Sequence, residues 1–208
     1  MIRKLALSAA ALGLALSPLA VRAEDAAKPL TVYKTTKPGT VGGGRVESVS
    51  ATVTAIDAAN RTVTLKGKKD TETVKVGPEV KNFDQIKVGD QVVVSVAQDL
   101  TLVWKGADAK TKDATVTVTG DTAAKGERPA GDVKATIKGT VTTQKIDMKT
   151  RTVTVVGPQG RKFEIVAGPE VQLEKLKVGD KLDAEYTERV AVDVQPAPAK
   201  KAKKAAKK

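Results

Sequence analysis

Chemistry in this chain has to come from carboxylates, lysines and a few hydroxyls, because its 208 residues include no histidine and no cysteine. That removes an imidazole base, a thiolate nucleophile and a soft metal site. The aspartates come in matched positions. Asp57 and Asp147 lie between strand-like runs, and Asp90 and Asp180 each follow a glycine. In such places an aspartate bonds its own backbone and shapes a turn. No pair has the spacing of a two-carboxylate hydrolase, and no acidic loop reads as a calcium site. Ser48, Ser50 and Ser95 sit beside Val or Thr in strand-like sequence and are expected to face outward. Gly42-Gly43-Gly44 lacks the lysine and helix of a phosphate loop. No catalytic residue, cofactor or metal ligand is assigned, and the chain is read as not an enzyme.

Two features remain. The C-terminal end carries Lys200, Lys201, Lys203, Lys204, Lys207 and Lys208 behind Pro196-Ala197-Pro198. Setting aside these six, and the three cations of the first 23 residues, leaves +3 of the formal +12 on the body. Basic character is thus a tail property, suited to an anionic surface, where each lysine contributes about 1 kcal/mol. The other feature is Trp104, the one tryptophan. It ends a strand-like run where the matching run ends in Val194, and is a candidate barrel surface. Phe83, Phe163 and Tyr186 occupy apolar positions of the pattern and are expected in cores. Too few aromatics are left for a base-stacking platform.

The elements that must position these residues repeat. Phe83-Asp84-Gln85-Ile86-Lys87-Val88-Gly89-Asp90 is answered, 90 residues on, by Leu173-Glu174-Lys175-Leu176-Lys177-Val178-Gly179-Asp180. Arg61-Thr62-Val63-Thr64-Leu65 matches Arg151-Thr152-Val153-Thr154-Val155, and Gly77-Pro78-Glu79-Val80 matches Gly168-Pro169-Glu170-Val171. Two copies of about 60 residues suit two small domains better than a solenoid. Inside each copy apolar residues alternate, as in Val92, Val94 and Val96, which indicates half-buried strands. Asp57 to Asn60 and Asp147 to Thr150 read as hairpin loops, and Phe83 with Ile86, like Leu173 with Leu176, fits one helical turn. The last strands are expected as hairpins, 91–97 with 100–104 and 181–187 with 190–194. The expected fold is all-β: two tandem small five-stranded OB-like barrels, a flexible N-terminal lead-in and a disordered Lys-rich tail.

In chain order, residues 1–23 read as a signal peptide. Arg3 and Lys4 precede an apolar run from Leu5 to Leu16, too short to span a membrane, and Val21-Arg22-Ala23 offers cleavage after Ala23. Then come a flexible segment at 24–44, barrel one at 45–104, and a linker at 105–131 with one possible strand at 115–119. Barrel two at 132–195 and the Pro/Ala/Lys tail at 196–208 complete the chain. The expected location is periplasmic or secreted.

The pattern Ala55-Ile56-Asp57, Arg61 to Leu65 and Lys87-Val88-Gly89-Asp90 resembles periplasmic copper-binding barrels of the CusF type. That likeness implies a five-stranded frame; the Met and His ligands are missing here, so copper carriage is not implied. Over both copies the chain resembles secreted bacterial proteins with tandem OB-like repeats, which implies fold and compartment only. The tail is similar to that of a linker histone, read as electrostatic convergence. The expected function is a non-enzymatic structural or binding module, its tail attached to an anionic envelope polymer or lipid head groups. The alternatives are a nucleic-acid binder using the tail, and a metal or small-molecule chaperone of copper-carrier ancestry.

Overall fold

The computed structural model describes residues 14–15, 30–78 and 80–197. Eleven strands are found among them: β1 (Leu14–Ala15), β2 (Leu30–Lys34), β3 (Thr40–Asp57), β4 (Thr62–Lys66), β5 (Thr71–Val76), β6 (Gln91–Gly106), β7 (Thr115–Thr122), β8 (Ala130–Asp147), β9 (Thr152–Val156), β10 (Lys162–Ala167) and β11 (Lys181–Gln195). Single 3-10 turns at Phe83–Gln85 and Leu173–Lys175 are the only helical elements of the described residues. The chain is all-β, and the described part has no helix long and apolar enough to cross a membrane.

Four long strands, in the order β3, β6, β11, β8, form a central antiparallel band. β6 and β11 pair along their whole length, from Gln91 opposite Gln195 to Gly106 opposite Lys181. Gln98 lies opposite Glu188, and these two are themselves matched residues, since 188 less 98 is the same 90 as in the repeated phrase. The band therefore has an approximate two-fold axis at that pair. Its registers agree: Thr40 opposite Val103 recurs as Ala130 opposite Asp193.

Two cores form at opposite ends of this band. In lobe one β4 and β5 continue the sheet from β3, and Val53, Leu65, Val74, Phe83 and Val92 pack against Val192 and Val194 of β11. In lobe two β9 and β10 continue it from β8, and Val155, Ile165, Leu173 and Leu182 pack against Leu100 and Leu102 of β6. The expected terminal hairpins are thus not formed. Residues 91–106 and 181–195 are each one continuous strand. Neither Gln98-Asp99 nor Glu188-Arg189 has the glycine that a two-residue turn favours, and alternation runs straight through. β6 and β11 each put their first half in their own lobe and their second half in the other, and β3 and β8 do the reverse.

The segment 24–44, read above as flexible, contains β2 and the start of β3. β2 leaves β3 after Tyr33 opposite Gly42 and runs parallel to β10, with Leu30 opposite Ile165 and Val32 opposite Ala167. It closes a path of hydrogen-bonded strands from β3 through β2, β10, β9, β8, β11 and β6 back to β3. The glycines are there for close approach: a Cβ on Gly43 would fall on the carbonyl oxygen of Thr31. β7, the strand expected at 115–119, is an exposed edge strand on β8. Among the described residues the matching edge of β5 in lobe one carries only the two residues of β1, antiparallel, with Leu14 opposite Val76. The remaining expected signal-peptide residues and the tail lysines lie outside the described residues.

Candidate functional site

The repeated phrases act as clasps. In each half the first long strand bulges, after Val53 and after Thr143. The amide of Gly89 donates to the Val53 carbonyl and that of Val53 to the Asp90 carbonyl, at 2.8 and 2.9 Å. Gly179, Thr143 and Asp180 repeat this at 2.9 and 2.8 Å. Gly89 and Gly179 take φ of 99° and 94°, which favours glycine. Asp90 and Asp180 are buried, and each accepts from the amide three residues back, Lys87 at 3.0 Å and Lys177 at 2.9 Å.

Arg61 and Arg151 hold the chain after the third strand of each half. The Arg61 guanidinium donates to the carbonyls of Val76, Gly77 and Val80, and Arg151 to those of Ala167, Gly168 and Val171, at 2.6–3.2 Å. Asp57 and Asp147 are turn-formers: Asp57 accepts from Asn60, and Asp147 from the amides of Lys149 and Thr150. The hydrogen bond from the Asn60 side chain holds Asp57 below the usual carboxylate range, and the Thr150 amide does the same for Asp147. Ser48 and Ser95 share a 2.8 Å hydrogen bond on the outer face.

One concavity stands out. Lobe two holds a half-open cavity of about 210 Å³, against about 40 Å³ at the corresponding place in lobe one. Its walls are Leu102, Val153, Ile165, Leu173 and Leu182, with Val32 of β2 as roof. Lys34, Lys37, Lys175 and Glu170 stand at its rim. The Glu170 carboxylate accepts the Lys34 amide at 3.2 Å, so one rim acid is engaged with the strand that closes the lobe.

Trp104, singled out by sequence, lines this cavity. It is 49% exposed, and its indole N–H donates to Asp180 at 3.1 Å. In lobe one the matching aspartate, Asp90, is met by Arg128 at 3.6 Å and by the Ala197 amide at 3.3 Å. Phe163, expected in a core, is 44% exposed with Arg161 over its ring at 5.5 Å. It sits at the start of β10, before the strand enters the lobe. Sequence reasoning missed Lys34, Lys37 and Lys175 at the rim. The first two fall in the segment read as flexible, although Leu30-Thr31-Val32 already shows strand alternation.

The fold class is therefore a two-lobed all-β protein with one lobe closed over an apolar cavity. Comparison with family models, with curated proteins and with solved structures finds no match to this chain.

Proposed function

We propose that this chain is a non-enzymatic, exported envelope protein whose β body is a binding module and whose polybasic tail is an attachment device. Each half is read as an OB-like unit arisen by duplication, with its last strand continued into the other unit. Cleavage after Ala23 releases the chain to the periplasm or outside, and Lys200 to Lys208 hold it to anionic lipid head groups or polymer. The observation that carries the reading is the half-open, apolar lobe-two cavity with a lysine-rich rim. The tail leaves from the opposite end, beside Asp90. At about 3.3 Å per residue, the band separates the two by up to roughly 50 Å, so surface attachment and ligand uptake are independent.

The test compares the chain from Glu24 with the same chain ending at Ala199. Both are titrated against anionic vesicles, lipopolysaccharide and DNA at low and high salt. The tailed chain is expected to bind vesicles or lipopolysaccharide at low salt and to release as salt rises across the screening range. Equal binding by the truncated chain, or affinity indifferent to salt, overturns tail attachment. Preference for DNA over both envelope targets makes the chain a nucleic-acid binder.

A further inference from the structure

We infer that the lobe-two cavity binds a single-chain anionic amphiphile, such as a free carboxylate, with an alkyl part of about eight carbons. This rests on the reading of the body as a binding module and names its ligand class.

Size sets the alkyl length. An apolar cavity of about 150 Å³ takes up benzene, so one carbon needs about 25 Å³. A cavity of about 210 Å³ then holds about eight carbons. A membrane lipid's acyl chain of twice that length does not fit, which favours a free short-chain molecule.

Charge sets the head group. The rim has three lysines, and its one acid, Glu170, is already bonded to a backbone amide. A carboxylate or phosphate at the mouth meets Lys34, Lys37 or Lys175, while the tail of the ligand displaces water from apolar walls. A cationic head would face like charge. Asp180, the buried acid bonded to the cavity-lining Trp104 indole, is also engaged by the Lys177 amide.

The matched lobe accounts for part of the space. Where lobe one has buried Phe83, with Arg61 at 4.7 Å over its ring, lobe two has the smaller Leu173. Lobe one thus buries a ring at the position where lobe two has a smaller side chain lining its cavity. Leu173→Phe is accordingly the variant of choice, because the same side chain is accommodated at the matching position.

Trp104 is the chain's sole tryptophan and lines the cavity, so its fluorescence reports the site directly. The exported chain, tail included, is titrated with octanoate, octanol and octylamine below their micellar concentrations. We expect a saturable shift of Trp104 emission with octanoate, at least tenfold weaker binding of octanol, and none of octylamine. Leu173→Phe, which adds three carbons, should weaken the octanoate response at least tenfold, with its melting temperature recorded to show that it folds. Should that variant not fold, Lys34→Gln combined with Lys175→Gln, both exposed, should weaken octanoate at least tenfold and leave octanol unchanged. Absence of a saturable octanoate response up to millimolar concentration overturns the inference. So does octylamine binding as well as octanoate, or a folded Leu173→Phe chain that binds unchanged. Vesicle attachment through the tail is scored separately, so either proposal can fail alone.

Discussion

Two lobes built on matched strands end in different states: among the described residues lobe two is closed by the five residues of β2, parallel to β10, whereas the same edge of β5 in lobe one carries only the two antiparallel residues of β1. β2 and the end of β7 occupy matching places, just before Thr40 and Ala130 begin the long strands. β2 presents Leu30 and Val32 on alternate positions and crosses to β10, where Val32 is buried. The end of β7 reads Gly120-Asp121-Thr122, has nothing apolar to offer a core, and stays on β8 with Thr122 opposite Gly131. The underlying strands differ as well. β2 passes over Gly43, and 90 residues on the same place is held by Val133. The difference teaches that a matched frame diverges chiefly through one crossing strand and the glycine beneath it; a second difference is the register shift of the β6–β11 pair at Lys181/Leu182, which has no counterpart at Gln91/Val92.

The most severe way to break this comparison is to give lobe two the residue of its counterpart. In Gly43→Val the new side chain meets the backbone of Thr31, which no rotamer relieves. β2 must lift off, exposing Val32 and the cavity beneath it. The expected cost is about 3 kcal/mol from the lost burial alone, read by chemical denaturation. Hydrogen exchange of the β2 amides should rise together with it. An unchanged denaturation midpoint would show that β2 contributes nothing to closure.

The arginine clasps sharpen the same comparison. Arg61→Lys and Arg151→Lys each replace a fork bonded to three carbonyls by a single ammonium. Each is expected to cost about 2 kcal/mol, the worth of a charge-assisted bond or two at partly buried carbonyls. The hydrogen-bond part of the two costs should agree, and Arg61→Lys should cost about 0.5–1 kcal/mol more, because Arg61 also stacks over the Phe83 ring. A cost confined to one lobe would mean that the matched geometry hides unequal folding roles.

The sequence announced the clasps without their purpose. Lys-Val-Gly-Asp and the arginines were visible as matched phrases, and the aspartates were correctly assigned to turns. The all-β class and the helical turns at Phe83 and Leu173 were legible too, because alternation and three-residue spacing are local signals. The route of the last strands was not. Whether a strand of 15 or 16 residues folds back or runs on is decided by what lies across from it, and here that is the other half of the chain. The cavity was hidden for the same reason: Val32, Leu102 and Leu173 come from three distant stretches. Trp104 could be singled out, but its bond to Asp180, 76 residues away, could not.

A smaller contrast lies in one atom. Val53 and Thr143 occupy matched places before the two bulges, each 1% exposed. The Thr143 hydroxyl has no hydrogen-bond partner, so lobe two carries a desolvation cost that lobe one avoids. Thr143→Val should stabilise the chain by about 1 kcal/mol, seen as a higher melting temperature, and Val53→Thr should destabilise it. A loss of stability in Thr143→Val would show that the hydroxyl is satisfied in solution.

The smallest expected effect tests the axis between the lobes. There Arg45 donates to Gln98 at 2.7 Å, Gln98 to Glu188 at 2.9 Å, and the Tyr186 hydroxyl to Glu188 at 2.8 Å. Burial pushes the Tyr186 phenol above its ordinary value, and the bond to Glu188 adds to this. The folded chain therefore favours the neutral phenol more than the unfolded chain does. Its contribution is complete below the unfolded value of about 10 and is lost as pH rises toward the folded one. Tyr186→Phe should cost about 1 kcal/mol at neutral pH, the worth of one hydrogen bond. Above about pH 10 the gap between the two chains should narrow, because only the parent can gain from ionising when unfolded. Urea denaturation of both from pH 7 to 11 measures this. A gap that stays constant over that range would show that neither burial nor Glu188 favours the neutral phenol in the folded chain, leaving the polar link at the axis to Arg45, Gln98 and Glu188 alone.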